Sequence, residues 1–226
     1  VPKYLAWIER WPAWQALALA TNQQLLAAWS GLGYNRRALN LGRIAQAVVR
    51  DHGGELPTDQ STLLSLPGIG PYTSRAILIF AFNHRLVTVD TNIRRVILHE
   101  FDLPAETGAR DIEYVAAQLL PARDARTWHY ALMDYSSLVL PRRIPGVPPR
   151  TVQSPFEGSL RQIRGEIIRR LSRQRRVAIS TIAKSTGRTE SDVLAAAESL
   201  ARENIVKLTR HMVRLVEDRG REEEPA

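Results

Sequence analysis

Cysteine is absent from the 226 residues of this chain, and methionine occurs only twice. Without thiols the chain forms no disulfide bond, so a cytoplasmic location is the default expectation. Apolar runs near 18 residues and a secretory signal segment are also missing, so no membrane span is expected. Five histidines are scattered without metal-ligand spacing, which predicts no bound transition metal. They are His52, His84, His99, His129 and His211.

Acidic side chains are the minority: 31 Lys and Arg residues against 23 Asp and Glu residues give a net charge of +8. The excess is uneven, because residues 1–140 carry 13 basic and 12 acidic side chains, whereas residues 141–226 carry 18 and 11. The second segment therefore holds most of the positive charge, which favours a polyanionic partner such as DNA. A hydrophobic content of 44% is enough for more than one packed domain.

A glycine-rich turn between two apolar helical segments is the first feature that indicates a chemistry. It reads Leu66-Pro67-Gly68-Ile69-Gly70. Pro67 sets the turn, while Gly68 and Gly70 permit positive φ and leave room for a ligand. The amides of Ile69 and Gly70 are then expected to point outward at the start of the next helix, where a DNA phosphate can bind. The alternative is a plain connection between two antiparallel helices.

A lone carboxylate follows the hairpin along the chain. Asp90 precedes an apolar segment that begins at Ile93 and is predicted to be a helix, so Asp90 has the position of an N-cap. A structural cap and a catalytic carboxylate both fit that position. These residues alone leave the two alternatives open.

Three further segments accompany the hairpin and Asp90. They are Trp-Ser-Gly-Leu-Gly-Tyr at 29–34, Gly-Gly-Glu-Leu-Pro at 53–57 and Tyr-Ala-Leu-Met-Asp at 130–134. In order and spacing the combination resembles the helix-hairpin-helix DNA glycosylase superfamily, and most closely its MutY-type adenine glycosylase branch. The resemblance covers about residues 1–140. Each segment is weak by itself, whereas the combination is specific.

The resemblance assigns chemistry to three side chains. Asp90 falls on the family's catalytic aspartate, whose carboxylate stabilises the positive charge that develops on the sugar as the N-glycosidic bond breaks. Asn92 matches a residue that helps to hold the site in the adenine-excising branch. Tyr72 stands where bifunctional relatives carry a nucleophilic lysine, so no Schiff base is expected and the implied reaction is base hydrolysis without strand cleavage.

The resemblance also implies contacts with DNA. Tyr34 is predicted to enter the duplex near the extruded base, the alternative being a half-buried tyrosine on a turn. Neighbouring arginines are predicted to contact phosphates, although arginines on a helix also serve as a solvated face. The predicted DNA-binding residues are Leu66, Gly68, Ile69, Gly70, Tyr34, Arg36, Arg94 and Arg95.

Two departures from the family pattern limit these expectations. The family's catalytic glutamate, which protonates the leaving adenine, and its glutamine-rich lesion-reading motif lie in a helix before the one that residues 4–11 match. No residue here takes either role, so this polypeptide is expected to excise bases poorly or not at all, unless it is part of a longer protein. The family's iron–sulfur cluster is excluded because cysteine is absent, and Leu140 stands at the place of the first ligand.

The remainder of the chain predicts a second domain. Proline and arginine are concentrated at 141–155, which is predicted to be a linker. Residues 156–218 show helical spacing of apolar residues, a helix from about 190 to 203 and two short alternating runs. Three helices and a two-stranded wing predict a winged-helix domain, in which the helix at 191–200 faces a groove or a partner. Residues 219–226 are predicted to be a disordered tail.

The predicted fold class is mainly α, with a helix-hairpin-helix glycosylase domain at 1–140 followed by a small winged-helix domain of α+β type. The predicted function is monofunctional excision of a mismatched base from double-stranded DNA, without a cofactor and by a monomer. Adenine opposite 8-oxoguanine or guanine is the expected target. Two alternatives stay open, namely a thymine or uracil mismatch glycosylase and a non-catalytic DNA-binding protein of the same fold.

Overall fold

The computed structural model of the chain describes residues 2–141 and 155–216. These residues form two compact units. The terminal unit combines the residues up to 56 with those from 155 onward, and the hairpin unit comprises residues 57–141. Most of the predicted linker at 141–155 and all of the predicted disordered tail at 219–226 lie outside the described residues.

Helices dominate both units, and the only strands in the described residues are three short ones. The elements are α1 (Pro2–Arg10), α2 (Trp14–Ala18), α3 (Asn22–Trp29), α4 (Arg36–Asp51), α5 (Gln60–Ser65), α6 (Pro71–Phe80), α7 (Thr91–Glu100), α8 (Ala109–Leu119), α9 (Ala125–Leu138), α10 (Leu160–Leu171), β1 (Arg176–Ala178), α11 (Ile179–Thr186), α12 (Glu190–Arg202), β2 (Val206–Thr209) and β3 (Met212–Leu215). The predicted mainly helical fold with a small sheet is confirmed. Within the described ranges, no helix is both long and apolar enough to cross a membrane.

Local sequence explains how the first helices begin and pack. A capping box starts α3, since the Thr21 hydroxyl accepts from the Gln24 amide at 3.2 Å and the Gln24 side chain accepts from the Thr21 amide at 2.9 Å. Helix α4 contains Gly42, where an added Cβ would lie 2.6 Å from the Leu25 side chain. Glycine therefore lets α3 and α4 approach closely, at a cost of about 1 kcal/mol in helix propensity.

The predicted winged helix is present, with one more strand than expected. Helices α10, α11 and α12 pack against an antiparallel sheet of strand order β1-β3-β2. Gly187 ends α11 with φ +64°, and Thr189 then caps α12 by accepting from the Asp192 amide at 3.1 Å. Strand β1 was missed because its three residues follow an arginine-rich run and show too short an alternation to identify.

The N-terminal helices and the winged helix share one apolar core. Leu26 on α3 and Leu39 on α4 are buried in the same cluster as Ile167 and Leu200 of the winged helix. The Asn22 side-chain amide donates to the backbone carbonyl at position 216, 2.9 Å away. The first four helices and the winged helix therefore belong to one compact unit, although they come from opposite ends of the described chain. The predicted domain boundaries at 140 and 156 stay predictions.

The hairpin unit is built from α5 to α9 around a second core. Helix α7 packs against α8 and α9 through a cluster that includes Ile93, Ile97 and Ile112. Asp59 caps α5 by accepting from the Thr62 amide at 2.8 Å, and the hydrogen bonds from the Ser61 hydroxyl and the Thr62 amide lower the pKa of its carboxyl to about 2. Asp59, Asp90 and Asp124 thus cap α5, α7 and α9, and the start of α7 carries Asp90 and Asn92, two of the residues predicted for catalysis.

Candidate functional site

The predicted hairpin is a type II turn. The Ile69 amide donates to the Leu66 carbonyl at 3.2 Å, and Pro67 and Gly68 occupy the two central positions. Gly68 has φ +80°, a conformation that glycine adopts at little cost. Gly70 then precedes α6 as its N-cap. The Pro-Gly pair is therefore explained by the turn it forms.

Two details of the predicted phosphate site were wrong. The Ile69 amide does not point outward, because it closes the turn onto Leu66. Gly70 has φ −102° and an extended backbone, which any residue adopts, and a Cβ there would meet no atom within 4 Å. The side chains of Leu66 and Ile69 are buried, so contacts of these residues with DNA can come only from their main chain.

Amides at the start of α6 are available to an anion. In the part of the chain that the structure describes, the amides of Gly70, Tyr72 and Thr73 donate to no other group. The next amide, that of Ser74, returns to the Gly70 carbonyl at 2.9 Å. The helix start thus presents free N–H groups together with the positive end of its dipole. Phosphate binding at the hairpin stays a prediction, with these amides as its donors.

Asp90 is both an N-cap and a member of a polar cluster. Its Oδ1 accepts from the Ile93 amide at 2.8 Å, where α7 begins, and its Oδ2 accepts from the Asn92 side-chain amide at 3.1 Å. The carboxylate is half-buried. Both alternatives drawn from the sequence are therefore compatible with this geometry, since the cap itself fixes the direction of the carboxylate.

Tyr72 lies close enough to Asp90 for the two groups to interact electrostatically. Burial, followed by the negative charge of Asp90, raises the pKa of the Tyr72 phenol above its usual value. The phenol is thus protonated at neutral pH, and it remains 49% exposed to solvent. The structure brings all three residues predicted for catalysis together, because Asn92 is bonded to Asp90.

Asn92, whose amide nitrogen donates to Asp90, is held at its amide oxygen by a hydrogen bond from α9. The Ser136 hydroxyl donates to Asn92 Oδ1 at 3.4 Å and accepts from Arg95 Nη1 at 3.0 Å. Arg95 Nη2 also donates to the Pro141 carbonyl at 2.7 Å. Ser136 is fully buried. The sequence does not single out Ser136. The one signal that could have found it is the presence of a small polar residue in α9, the helix that closes the unit.

The three arginines predicted to contact phosphates have different surroundings. Arg94 Nη2 donates to the carbonyls of Ala105 and Thr107 at 2.8 and 2.9 Å, so it holds the loop between α7 and α8. Arg95 holds the end of α9, as described above. Arg36 is exposed at the first position of α4. Their phosphate contacts stay predictions, while Arg94 and Arg95 already have structural tasks.

His129, to which the sequence assigns no role, is fully buried close to Asp90. Its Nδ1 lies 2.7 Å from the Ala125 carbonyl and donates to it, and its Nε2 accepts from the Thr88 amide at 3.2 Å. Burial lowers the pKa of the imidazole, against the opposite effect of these hydrogen bonds and of Asp90. A neutral ring in one tautomer therefore holds the segment that leads to Asp90.

Tyr34 lies on a turn that exposes its ring. Gly31 and Gly33 have φ +88° and +70°, and Tyr34 itself has φ +49°, which is uncommon for a residue with a side chain. The Trp29 indole donates to the Gly33 carbonyl at 2.9 Å and fixes the turn. The Arg37 guanidinium lies over the rings of Trp29 and Tyr34, 5.4 and 5.5 Å from their centroids. Tyr34 is 74% exposed, so the alternative of a half-buried tyrosine is wrong.

The residues present do not fit the iron–sulfur cluster that the resemblance implies. Leu140, at the place of the first ligand, is buried in an apolar cluster with Val96, Leu132 and Tyr135. The described residues also contain no group of three or more His, Cys, Asp or Glu side chains arranged to hold a metal ion. Apolar packing thus occupies the position of the ligand.

The chain is similar in sequence to proteins of base excision DNA repair. The profile of the HhH-GPD superfamily of base excision DNA repair proteins matches residues 1–122. The adenine DNA glycosylase of Mycolicibacterium smegmatis is 39% identical over 189 residues, covering 74% of this chain and 64% of the relative. That of Mycobacterium tuberculosis is 37% identical over 187 residues, covering 72% and 61%. The chain therefore spans less than two thirds of the length of these relatives.

Solved structures give a similar result. A thermostable thymine-DNA glycosylase matches with a TM-score of 0.56 and 26% identity, over 63% of this chain and 68% of that chain. Endonuclease III in a trapped covalent intermediate with DNA matches with a TM-score of 0.52 and 20% identity, over 59% and 63%. The second likeness shows a shared fold.

Proposed function

The chain belongs to the HhH-GPD superfamily of base excision DNA repair proteins, and from that membership we propose that it carries the catalytic aspartate of a monofunctional DNA glycosylase. The substrate is duplex DNA that contains a mismatched or damaged base, and the reaction hydrolyses the bond between that base and its deoxyribose. The observation that carries the proposal is the Asp90 carboxylate, which Ile93 and Asn92 orient at both oxygens beside Tyr72.

Asp90 acts on the charge that the reaction creates. The bond between C1′ and the base nitrogen breaks, its electron pair leaves on the base, and the base takes up a proton. Positive charge then develops on C1′ and the ring oxygen of the sugar, and Asp90 stabilises it before water adds to C1′ and loses a proton. Because the two hydrogen bonds hold the carboxylate in advance, no reorganisation is needed in the transition state.

Tyr72 supports hydrolysis rather than lyase chemistry. A phenol cannot form the imine with C1′ through which an amine cleaves the strand. The raised pKa of Tyr72 keeps its hydroxyl protonated, so it can donate to the extruded nucleotide without adding a negative charge beside Asp90. The product is then an abasic site in an intact strand.

Two further features fit the extrusion of a base from the duplex. The exposed ring of Tyr34 can fill the gap that the base leaves. The amides of Gly70, Tyr72 and Thr73 can hold a backbone phosphate at the start of α6. Unstacking costs a few kcal/mol and least at a mismatch, which contributes to selectivity.

Adenine is the proposed target base. The relatives of 39% and 37% identity are both named adenine DNA glycosylases, and Asn92 matches that branch. Thymine or uracil is the second candidate, because a thymine/uracil-DNA glycosylase of Methanothermobacter thermautotrophicus is 33% identical over 114 residues. We further propose that the protein works as a monomer in the cytoplasm and needs no metal or other cofactor.

The test is base release under single-turnover conditions from duplexes with adenine opposite 8-oxoguanine, adenine opposite guanine, thymine opposite guanine and uracil opposite guanine. The 226-residue chain is assayed on all four duplexes. We expect adenine release from the first two duplexes. Release of only thymine or uracil supports the second candidate, and DNA binding without release of any base supports a non-catalytic protein.

Asp90→Asn isolates the charge, because asparagine is an equally good N-cap. We expect the variant to keep its melting temperature and to lose base release by about a thousandfold. Asp124→Asn is the matched control: Asp124 caps α9 in the same unit by accepting from the Thr127 amide at 3.1 Å. Equal rates for Asp90→Asn and the parent protein would rule out the catalytic assignment.

A further inference from the structure

Three cationic side chains form one row across the exposed face of the winged-helix sheet. Arg176 on β1 lies directly opposite Arg214 on β3, and Arg214 lies opposite Lys207 on β2. All three are exposed, whereas their neighbours Val177 and Val213 are buried in the core below. We call these three residues the cationic row.

The cationic row is unfavourable for the sheet itself. Like charges at directly opposed positions destabilise strand pairing. Opposed residues in antiparallel strands have Cα atoms 4.5–5.5 Å apart, so the Cα atoms of the three residues span about 10 Å. Arg176 and Lys207 form no ion pair with any residue that the structure describes. An anionic partner explains the two outer bases of the row, Arg176 and Lys207, better than the stability of the sheet does.

The segments around the row extend the same charge. Neither residues 173–178 nor residues 206–215, which form the sheet and its turns, contain an acidic residue. Arg173 and Arg175 precede β1, and Arg210 lies in the tight turn between β2 and β3 with φ +43°. Within the described residues, the strands of this sheet and the turns next to them therefore carry bases and no acid.

Helix α12 has the opposite charge. The sequence predicted that this helix faces a groove or a partner. Its exposed side includes Glu190, Asp192 and Glu198, against one base at Arg202. Three carboxylates on one helix repel phosphates, so α12 is a poor element to place in a DNA groove.

We propose that the winged helix binds the phosphate backbone of duplex DNA through the cationic row and the turn between β2 and β3, and not through α12. The choice of DNA as the polyanion rests on the proposed function. Arginine suits this task because its planar guanidinium matches phosphate oxygens. Backbone contacts of this kind are independent of base sequence and add affinity around a target base that other residues select.

The test measures affinity for an undamaged duplex as a function of salt concentration, using the complete chain. The row variant combines Arg176→Gln, Lys207→Gln and Arg214→Gln. The control variant combines Lys184→Gln, Arg188→Gln and Arg202→Gln, which removes the same charge from exposed positions on or beside α11 and α12. Because each phosphate contact contributes about 0.9 to the slope of log K against log salt, the row variant is expected to lose roughly 2.7. Its affinity at 0.1 M salt is expected to fall at least about tenfold.

The outcomes separate the two proposals. A lower slope in the row variant and not in the control supports the row, whether or not the protein releases a base. An unchanged slope in the row variant, or a loss only in the control, overturns the row and leaves the glycosylase proposal standing. Melting temperatures check that both variants fold. If the row variant does not, Lys207→Glu on the edge strand β2 is used instead, and a slope equal to that of the parent overturns the proposal.

Discussion

The Asn92 side-chain amide donates to Oδ2 of Asp90 at 3.1 Å, so the proposed catalytic carboxylate is held by a residue two positions further along the same helix. The other oxygen of Asp90 is used by the cap of α7. Both constraints come from one helix start. Any motion of that start therefore moves the carboxylate as well, and α9 stabilises it through Ser136.

Loss of the Asn92 amide is expected to slow the chemical step more than it weakens DNA binding. A hydrogen bond to a charged group contributes about 1.5–3 kcal/mol, so Asn92→Ala is expected to reduce single-turnover base release about 10- to 100-fold. Ser136→Ala removes a hydrogen bond to Asn92 and not to Asp90 itself, so it is expected to have a smaller effect. Ser137→Ala is the control, because its hydroxyl bonds the Met133 carbonyl outside this network. An equal loss in Ser137→Ala would contradict the positioning role.

Strand cleavage is expected to be absent because Tyr72 provides no amine. Borohydride added during the reaction should trap no covalent protein–DNA complex, and the abasic strand should break only after alkali treatment. The check is gel electrophoresis of the labelled strand before and after alkali. Complete strand breakage without alkali, together with a trapped complex, would show that another residue supplies the nucleophile.

Stability is expected to fall between neutral and mildly acidic pH because of His129. Its pKa in the folded chain is lower than the usual value near 6.5, so the unfolded chain takes up the proton more readily. The contribution of the neutral His129 ring to the free energy of unfolding is thus fully present above about pH 6.5, and it is lost as the pH falls toward the lower pKa of the folded state. We expect the melting temperature of the parent protein to fall by about 2–5 °C from pH 7.5 to 5.5.

His129→Gln should remove most of this pH dependence, since glutamine has no proton to gain in that range. His84→Gln, an exposed histidine of the same unit, serves as the control and should keep the parent slope. Thermal unfolding at pH 7.5, 6.5 and 5.5 provides the measurement. A slope that survives in His129→Gln would assign the pH dependence to other groups.

Removal of the winged helix is expected to destabilise the first four helices. Deletion of residues 155–226 uncovers Leu26 and Leu39, which are buried in the shared core. At about 1.5–3 kcal/mol for each side chain, the terminal unit should lose roughly 3–6 kcal/mol of stability. Urea unfolding followed by tryptophan fluorescence tests this, because Trp7, Trp11 and Trp29 report on the same helices. Deletion of only 217–226 is the control, and an equal effect would argue against the shared core.

The parts of the site that could be predicted are those encoded by neighbouring residues. The Pro67-Gly68 pair specifies its own turn, and Asp90 before Ile93 specifies a cap, because both depend on contacts within four residues. The winged helix was recognisable for the same reason, from helical and alternating spacing. Tyr72 and Asp90 are assigned to one site only through the family resemblance, and in the structure the two groups are close enough to interact electrostatically.

The rest depends on contacts between distant segments. From the sequence, Arg95 is expected on a solvated face or in contact with DNA, yet its guanidinium donates to Ser136 and Pro141, more than forty residues away. His129 and Thr88 meet across a similar distance. The cationic row exists only through strand register, which places Arg176 opposite Arg214. No periodicity within one segment indicates which residues of another segment will face it.

The shared core of the terminal unit has a consequence for synthesis on the ribosome. Residues 57–141 can fold as soon as they emerge, since their core is contiguous in sequence. Leu26 and Leu39 must wait for α10 to α12, which are made more than a hundred residues later. At about 5–20 residues per second this delay is on the order of ten seconds. During that interval the apolar sides of α3 and α4 are exposed and can be bound by chaperones. The terminal unit, whose first helices are synthesised before any other part of the chain, is therefore the last to finish folding.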